Sequence, residues 1–338
     1  MTGAVEASRA SRPLAGVTAI AVAAVVWGTT GTATHFAPGV PASVFGAVTF
    51  GLGGLVLAAA AGRGTIRALT ASGTRGWAWL GAASLAVYAV TFYAALADAG
   101  VALGTTVAIG SSPVFAGLVE WAAEHRRPTL RWGVATLVSV VGMVVVTLAR
   151  PGGNGASESL PVGLACALVA GLTYALYSWA IARGMGAASG AVGTLPGGPG
   201  AAPVAVGTLP GGPGVEIAER ARPSEQGLVG AVFGLAAVPL VVLAVVVGHD
   251  ALVVAGNWPV FLYLALVPTV LGHSLYALGL RTVSASGATL LSLLEPVVAA
   301  VLAVLVVGEH LGAAGWAGIV LVVLGLALLA LPARRARR

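Results

Sequence analysis

The chain of 338 residues is 58% hydrophobic and only 8% charged, with a formal net charge of +6, where a soluble domain carries about 25% charged residues. A water-soluble globular fold is excluded, because a chain this long cannot hide so much apolar surface, and a mean hydropathy of +0.98 makes lipid the expected solvent. The one cysteine, Cys166, excludes a disulfide within the chain and offers no metal cluster.

In chain order the apolar runs fall at 14–34, 41–61, 76–98, 101–121, 130–149, 160–183, 226–247, 258–280, 283–307 and 311–331. Each approaches or exceeds the ~20 residues a helix needs to cross ~30 Å of hydrocarbon. The expected fold is therefore all-α and integral to the membrane, with ten transmembrane helices.

Every basic residue is arginine, and 16 of the 17 lie in alternate connections or at the termini. Arg9 and Arg12 precede the first run. Arg63, Arg67 and Arg75 follow the second, and Arg126, Arg127 and Arg131 the fourth. Arg183, Arg220 and Arg222 follow the sixth, Arg281 the eighth, and Arg334, Arg335, Arg337 and Arg338 the tenth. The opposite connections hold only Arg150. Cytoplasmic loops of membrane proteins carry the excess of basic residues. The pattern predicts a multi-pass plasma (inner) membrane protein with both termini in the cytoplasm. It also argues against a nucleic-acid partner, which would need a basic patch on one soluble surface.

The chain repeats itself. Gly104-x-Thr106-x6-Pro113 recurs as Gly287-x-Thr289-x6-Pro296, displaced by 183 residues, and at that displacement Tyr93 matches Tyr276 and Gly142 matches Gly325. The expected organisation is a five-helix unit over 1–150 and a second over 151–338. Five crossings per unit force the second to enter the membrane inverted. Inverted repeats are a transporter signature, with the substrate site near the midplane between the halves. Within the second unit, the cytoplasmic segment 184–225 holds a tandem copy, AASGAVGTLPGGPG at 187–200 and AAPVAVGTLPGGPG at 201–214. Its glycines and prolines forbid a stable helix. A flexible linker is the plain reading, and a docking or regulatory loop the functional one.

Ionisable groups at membrane depth are functional candidates by default. Glu295 lies about 12 residues, or ~18 Å, into the ninth helix, followed by Pro296, which loosens the helix locally. Glu295 binds a substrate amine or takes up a proton, or else is held neutral or satisfies backbone groups freed by the proline. The first unit has Ser112-Pro113 at the matching place. His273 lies within ~6 Å of Glu295 in depth, so a His–Glu proton shuttle and a histidine satisfied by a carbonyl are both open. Trp27 and Tyr93 are candidates to line a pocket with Glu295 and His273. Gly28, Pro113 and Pro296 are candidate hinges. His35, Asp98, Arg183, Arg281, Glu309 and His310 fall at helix ends, where water or headgroups solvate them. Glu120, one turn deeper, is ambiguous. No H-E-x-x-H, Walker A or G-x-S-x-G motif occurs, so neither an enzyme nor an ATP-driven pump is expected, nor any metal or cofactor.

Trp27-Gly28, the sixth-run ending Ala175-Leu176-Tyr177 through Arg183, and LLSLLEPVVAAVLAVLVVGEHLGAAGWAGIVLVVLGLALL at 290–329 resemble the EamA-type family of the drug/metabolite transporter superfamily. Pro113, Glu124 and Gly142 are the weaker counterpart in the first half. The resemblance spans almost the whole chain except 184–225. It implies a ten-helix basket with a central cavity, alternating access, and secondary transport of small metabolites, commonly export of amino acids. Ser112 departs from the glutamate expected beside the first proline. Protons are the candidate coupling ion. The alternatives are uptake, efflux of toxic compounds, or, in a different class, a lipid-moving membrane protein.

Overall fold

A computed structural model describes residues 2–149, 159–188, 224–308 and 310–330. These residues are almost entirely helical, as they must be where the solvent offers no hydrogen bonds to a backbone. Among the described residues nine helices are long and apolar enough to cross a bilayer: α1 (Leu14–Thr34), α2 (Ala42–Ala61), α3 (Ser72–Ala99), α4 (Leu103–Glu124), α5 (Leu130–Leu148), α6 (Leu160–Ala188), α7 (Glu225–Leu252), α8 (Ala255–Leu280) and α9 (Ala285–Val307). A tenth apolar helix, α10 (Ala313–Ala330), is shorter, at 18 residues. The expected runs thus appear in order. Three helices start on capping side chains: Thr129 accepts from the Trp132 N–H, Ser224 from Gly227 and Ser284 from Gly287. Helix α6 continues to Ala188 and α7 begins at Glu225. Apart from Ala187 and Ala188, the tandem copies lie outside the described residues, as do Arg150, Glu309 and the arginines after 330.

Valines and leucines cover the outside. Val22, Val25, Val87, Val90, Leu137, Val141, Val238 and Val242 are all exposed, a surface that suits lipid and not water. Exposed Trp79 and Trp121 mark one end of the bundle, and Trp258 and Trp316 the other, as interfacial anchors do. Arg63, Arg75, Arg126, Arg183 and Arg281 share the first end; the connection 35–41 lies at the other.

The packing shows the inverted repeat. Helix α2 packs along α7, and α5 along α10; these pairs exchange their members when the units are swapped. Helix α6 packs on α3 and α4, and α1 packs correspondingly on α8 and α9. Small residues allow the close approaches, as is usual between membrane helices. At the α5–α10 crossing a Cβ on Gly142 would lie 2.7 Å from the Gly318 carbonyl, and one on Gly325 would lie 2.8 Å from the Ala135 carbonyl. Gly142 and Gly325 are the repeated glycines, and both sit in one seam. Gly142→Val should force the two helices apart. Overpacking of this kind costs about 1–3 kcal/mol, so the purified variant should unfold at a lower temperature than the parent. An unchanged melting temperature would contradict this packing.

Candidate functional site

The site is built where three helices depart from regular winding. Helix α1 ends its regular stretch at Gly28 and restarts at Thr30–Thr34. Thr29 sits at the break, its N–H on the Val26 carbonyl at 3.2 Å and its hydroxyl on the same carbonyl at 2.6 Å. Gly28 lies against α9: a Cβ there would meet Val298 at 2.6 Å and the Glu295 carbonyl at 2.9 Å.

Helix α9 breaks at Ser292–Leu293, between segments Ala285–Leu291 and Leu294–Leu302. Pro296 is the cause. It has no N–H for the Ser292 carbonyl, four residues back. The Glu295 N–H takes that carbonyl instead, at 2.9 Å. The first repeat solves the same problem differently. Pro113 would leave the Ile109 carbonyl bare, and the Ser112 hydroxyl donates to it at 2.8 Å. Ser112 and Glu295 are matching positions. One side chain repairs its helix; the other is spared that task by its own backbone, so the reading of Glu295 as a proline-kink repair group does not hold.

Helix α8 contains the third departure. Residues Ala265–Gly272 wind as a π-helix around Pro268, a local widening common at functional sites. The Trp27 indole N–H donates to the Pro268 carbonyl at 2.9 Å. Tyr263 and Thr29 share a hydroxyl hydrogen bond at 2.8 Å. Two bonds therefore tie the break in α1 to α8, one repeat to the other.

Around these breaks lies a cavity of about 530 Å³, reaching from Trp27 and Glu295 to His35, Pro38 and Gly39 in the 35–41 connection. It spans α1, α2, α3, α4, α5, α9 and α10, and so draws on both repeats. Trp27, Phe45, Phe92, Tyr93 and Met143 supply apolar lining. Thr30, Thr49, Thr105, Tyr93 and Glu295 supply polar groups. Thr106 and Thr147 also face the cavity and hydrogen-bond to each other. Among the described residues the Glu295 carboxylate has no hydrogen-bond or ion-pair partner.

Three of the four candidate lining residues thus meet in one cavity: Trp27, Tyr93 and Glu295. His273 is not in the lining. It is buried, with Nδ1 3.1 Å from the Thr269 carbonyl. Its ring packs 4.8 Å from Trp27, 4.8 Å from Phe233 and 5.7 Å from Phe50. No hydrogen bond joins it to Glu295 among the described residues, and the Trp27 ring rests against it. Of the candidate hinges, Gly28 and Pro296 line the cavity, while Pro113 is buried in α4.

At the arginine-rich end the halves are closed by side chains. Tyr88, Tyr174, Tyr177 and Tyr276 are buried in contact with one another, and the Tyr276 hydroxyl bonds Ser178 at 2.9 Å. Beyond them Glu120 of α4 receives the backbone N–H of Ser286 at 3.1 Å and its hydroxyl at 2.5 Å. This carboxylate caps the start of α9, where it also meets the positive end of the helix dipole. Glu124 receives the Trp179 indole N–H at 2.8 Å and lies 3.5 Å from the Arg183 guanidinium. The Arg131 guanidinium donates to the Leu328 and Leu329 carbonyls at 2.6 and 2.7 Å. Arg183 and Arg281, expected to be merely solvated, are therefore both paired, Arg281 with Glu225 at 2.8 Å. The role of Glu120 is undecided in the sequence alone, and no residue pattern there announces the Trp27–Pro268 bond. A carboxylate one turn inside a helix end was the available signal for the first.

Two inverted helical repeats enclosing a cavity at their discontinuous helices define a polytopic membrane protein of the transporter class. The EamA-like transporter family model matches residues 14–148 and 218–331, and the chain belongs to that family, within the drug/metabolite transporter superfamily. It is 29% identical over 322 residues to the uncharacterized transporter YwfM of Bacillus subtilis (strain 168), covering 94% of each chain. A solved crystal structure of a protein 23% identical in sequence superposes with a TM-score of 0.66, covering 94% of this chain and 96% of that one; the likeness supports the fold.

Proposed function

We propose that the protein is a secondary transporter that exports a small organic metabolite, such as an amino acid or a compound derived from one, across the plasma membrane. The observation that carries this reading is the Glu295 carboxylate, unpartnered among the described residues, in a cavity between the two repeats. A carboxylate at membrane depth without a protein partner is costly, and a substrate or a proton is what would offset that cost. A group that takes either in turn exchanges one for the other. Protons are therefore the coupling ion in this reading.

In this account the units 1–150 and 151–338 rock about the cavity, with Gly28, Pro113 and Pro296 as the hinges. Trp27, Tyr93 and Glu295 touch substrate, and His273 acts from behind Trp27, whose ring it supports. Both termini face the cytoplasm. The cavity then opens outward, and the Glu120 and Glu124 contacts seal the cytoplasmic side.

Small molecules inside and outside cells that overproduce the protein should be compared with those of cells producing Glu295→Gln at equal membrane levels. A compound class that accumulates outside with the parent alone supports export and names the substrate class. Unchanged pools in both strains would contradict it.

A further inference from the structure

The cavity lining points to one charge type, and the inference rests on the transport reading above. Glu295 is its only carboxylate, His35 at the mouth is its only nitrogen base, and no arginine lines it among the described residues. The described arginines with placed side chains sit at the far end of the bundle, several in ion pairs or hydrogen bonds. A bound anion would therefore find no positive side chain at the depth of Glu295.

A broken helix can bind an anion through the free N–H groups at the start of its second half. At the α9 break that route is partly closed. The Leu293 N–H is taken by the Leu290 carbonyl at 3.1 Å and the Glu295 N–H by the Ser292 carbonyl at 2.9 Å. Pro296 has none. At this break the donors of residues 293, 295 and 296 are thus consumed or missing.

The rest of the lining suits a cation with an apolar body. Trp27, Phe45, Phe92 and Tyr93 line the same cavity as the carboxylate, and aromatic ring faces attract ammonium groups. Thr30, Thr49 and Thr105 provide neutral oxygens that accept the remaining ammonium hydrogens. The cavity volume of about 530 Å³ lies in the range of small-ligand sites.

We infer that the substrate is an organic monocation, a primary amine on an aromatic or apolar body without a carboxylate, rather than a zwitterionic amino acid. The amine pairs with Glu295, the body lies against Trp27 and Tyr93, and an α-carboxylate would be left in the cavity beside Glu295 without a counter-charge.

Phenethylamine and phenylalanine differ by that carboxylate alone. Counterflow of each, radiolabelled, should be measured in proteoliposomes containing the full chain, its Glu295→Gln variant or its Glu295→Asp variant. The expected result is at least about tenfold faster counterflow of phenethylamine by the parent, loss of that flux in Glu295→Gln, and partial retention in Glu295→Asp. Equal or faster movement of phenylalanine would overturn the inference while leaving transport intact. So would full phenethylamine flux in Glu295→Gln. If neither probe moves, the inference also falls, and the transport reading is then decided by the metabolite-pool comparison, which assumes nothing about charge.

Discussion

Glu295→Gln should lower substrate flux by at least about tenfold while leaving the amount of folded protein in the membrane unchanged. The two halves of this expectation come from the same geometry. The Glu295 carboxylate makes no hydrogen bond or ion pair among the described residues, so its loss removes no structural contact. Its backbone N–H, which closes the gap left by Pro296, is kept in the variant. A charge at membrane depth that stabilises nothing in the protein must be compensated by what enters the cavity. Each factor of ten in binding corresponds to about 1.4 kcal/mol, which an ion pair in a partly desolvated cavity readily exceeds. Glutamine keeps the size and polarity but can neither pair with an amine nor exchange a proton. Glu295→Asp should retain part of the flux. Wild-type transport by Glu295→Gln would remove the carboxylate from the mechanism. A loss of folded protein would assign it a structural role instead.

Opening of the arginine-rich end should follow removal of Glu120 and Glu124. Glu120 joins α4 to the start of α9 through two hydrogen bonds to Ser286, and Glu124 joins α4 to α6 through Trp179 and Arg183. Each contact crosses between repeats. Hydrogen bonds to charged groups contribute about 1.5–3 kcal/mol each, so losing both carboxylates shifts the balance between closed and open states by a factor of ten or more. Glu120 itself has no counterpart at the opposite end: the position matching it at a displacement of 183 is Ala303. In the proposed transport cycle the two states exchanged by the repeat symmetry differ at this contact, and closure of the arginine-rich end is expected to be favoured. Thr289 is fully buried between Ser286 and the cavity. A cysteine placed there, in a Cys166→Ser background, should resist a thiol reagent added at the arginine-rich face and become reactive when Glu120→Gln and Glu124→Gln are combined. Equal protection in both backgrounds would show that these carboxylates do not hold the end shut.

The parts of this site legible in the sequence are those carried by period, repeat and position along one helix. Ten apolar runs, the displacement of 183, and the rarity of charge at depth single out Glu295 and Pro296. Trp27 and Tyr93 stood out as aromatic residues in mid-span or in the repeated segment. Direction around a helix was not legible to the same degree. His273 has the depth expected of a partner for Glu295, but depth is only rise along an axis. The ring faces Phe233 and Phe50, with Trp27 on its cavity side. The bond from Trp27 to Pro268 needed knowledge that the chain widens into a π-helix and bares a carbonyl there; no residue type announces that. Glu120 stayed undecided because its partner, Ser286, is 166 residues away and carries no charge. Likewise the contrast between Ser112 and Glu295 is visible in sequence as a mismatch. Its meaning, that one repairs a proline and the other does not, appears only with the backbone hydrogen bonds in place.

In the proposed transport cycle one cavity between the repeats is reached alternately from the two sides of the membrane. Thr49 lines that cavity and is buried by protein on its other sides. The most direct test places a single cysteine at Thr49 in the Cys166→Ser background and applies a membrane-impermeant thiol reagent separately to each face. The account predicts fast labelling from the outside, slowed by transported substrate, and labelling from the cytoplasmic side that appears only when Glu120→Gln and Glu124→Gln are added. Labelling from the cytoplasmic side alone, or from neither side in any background, would contradict it.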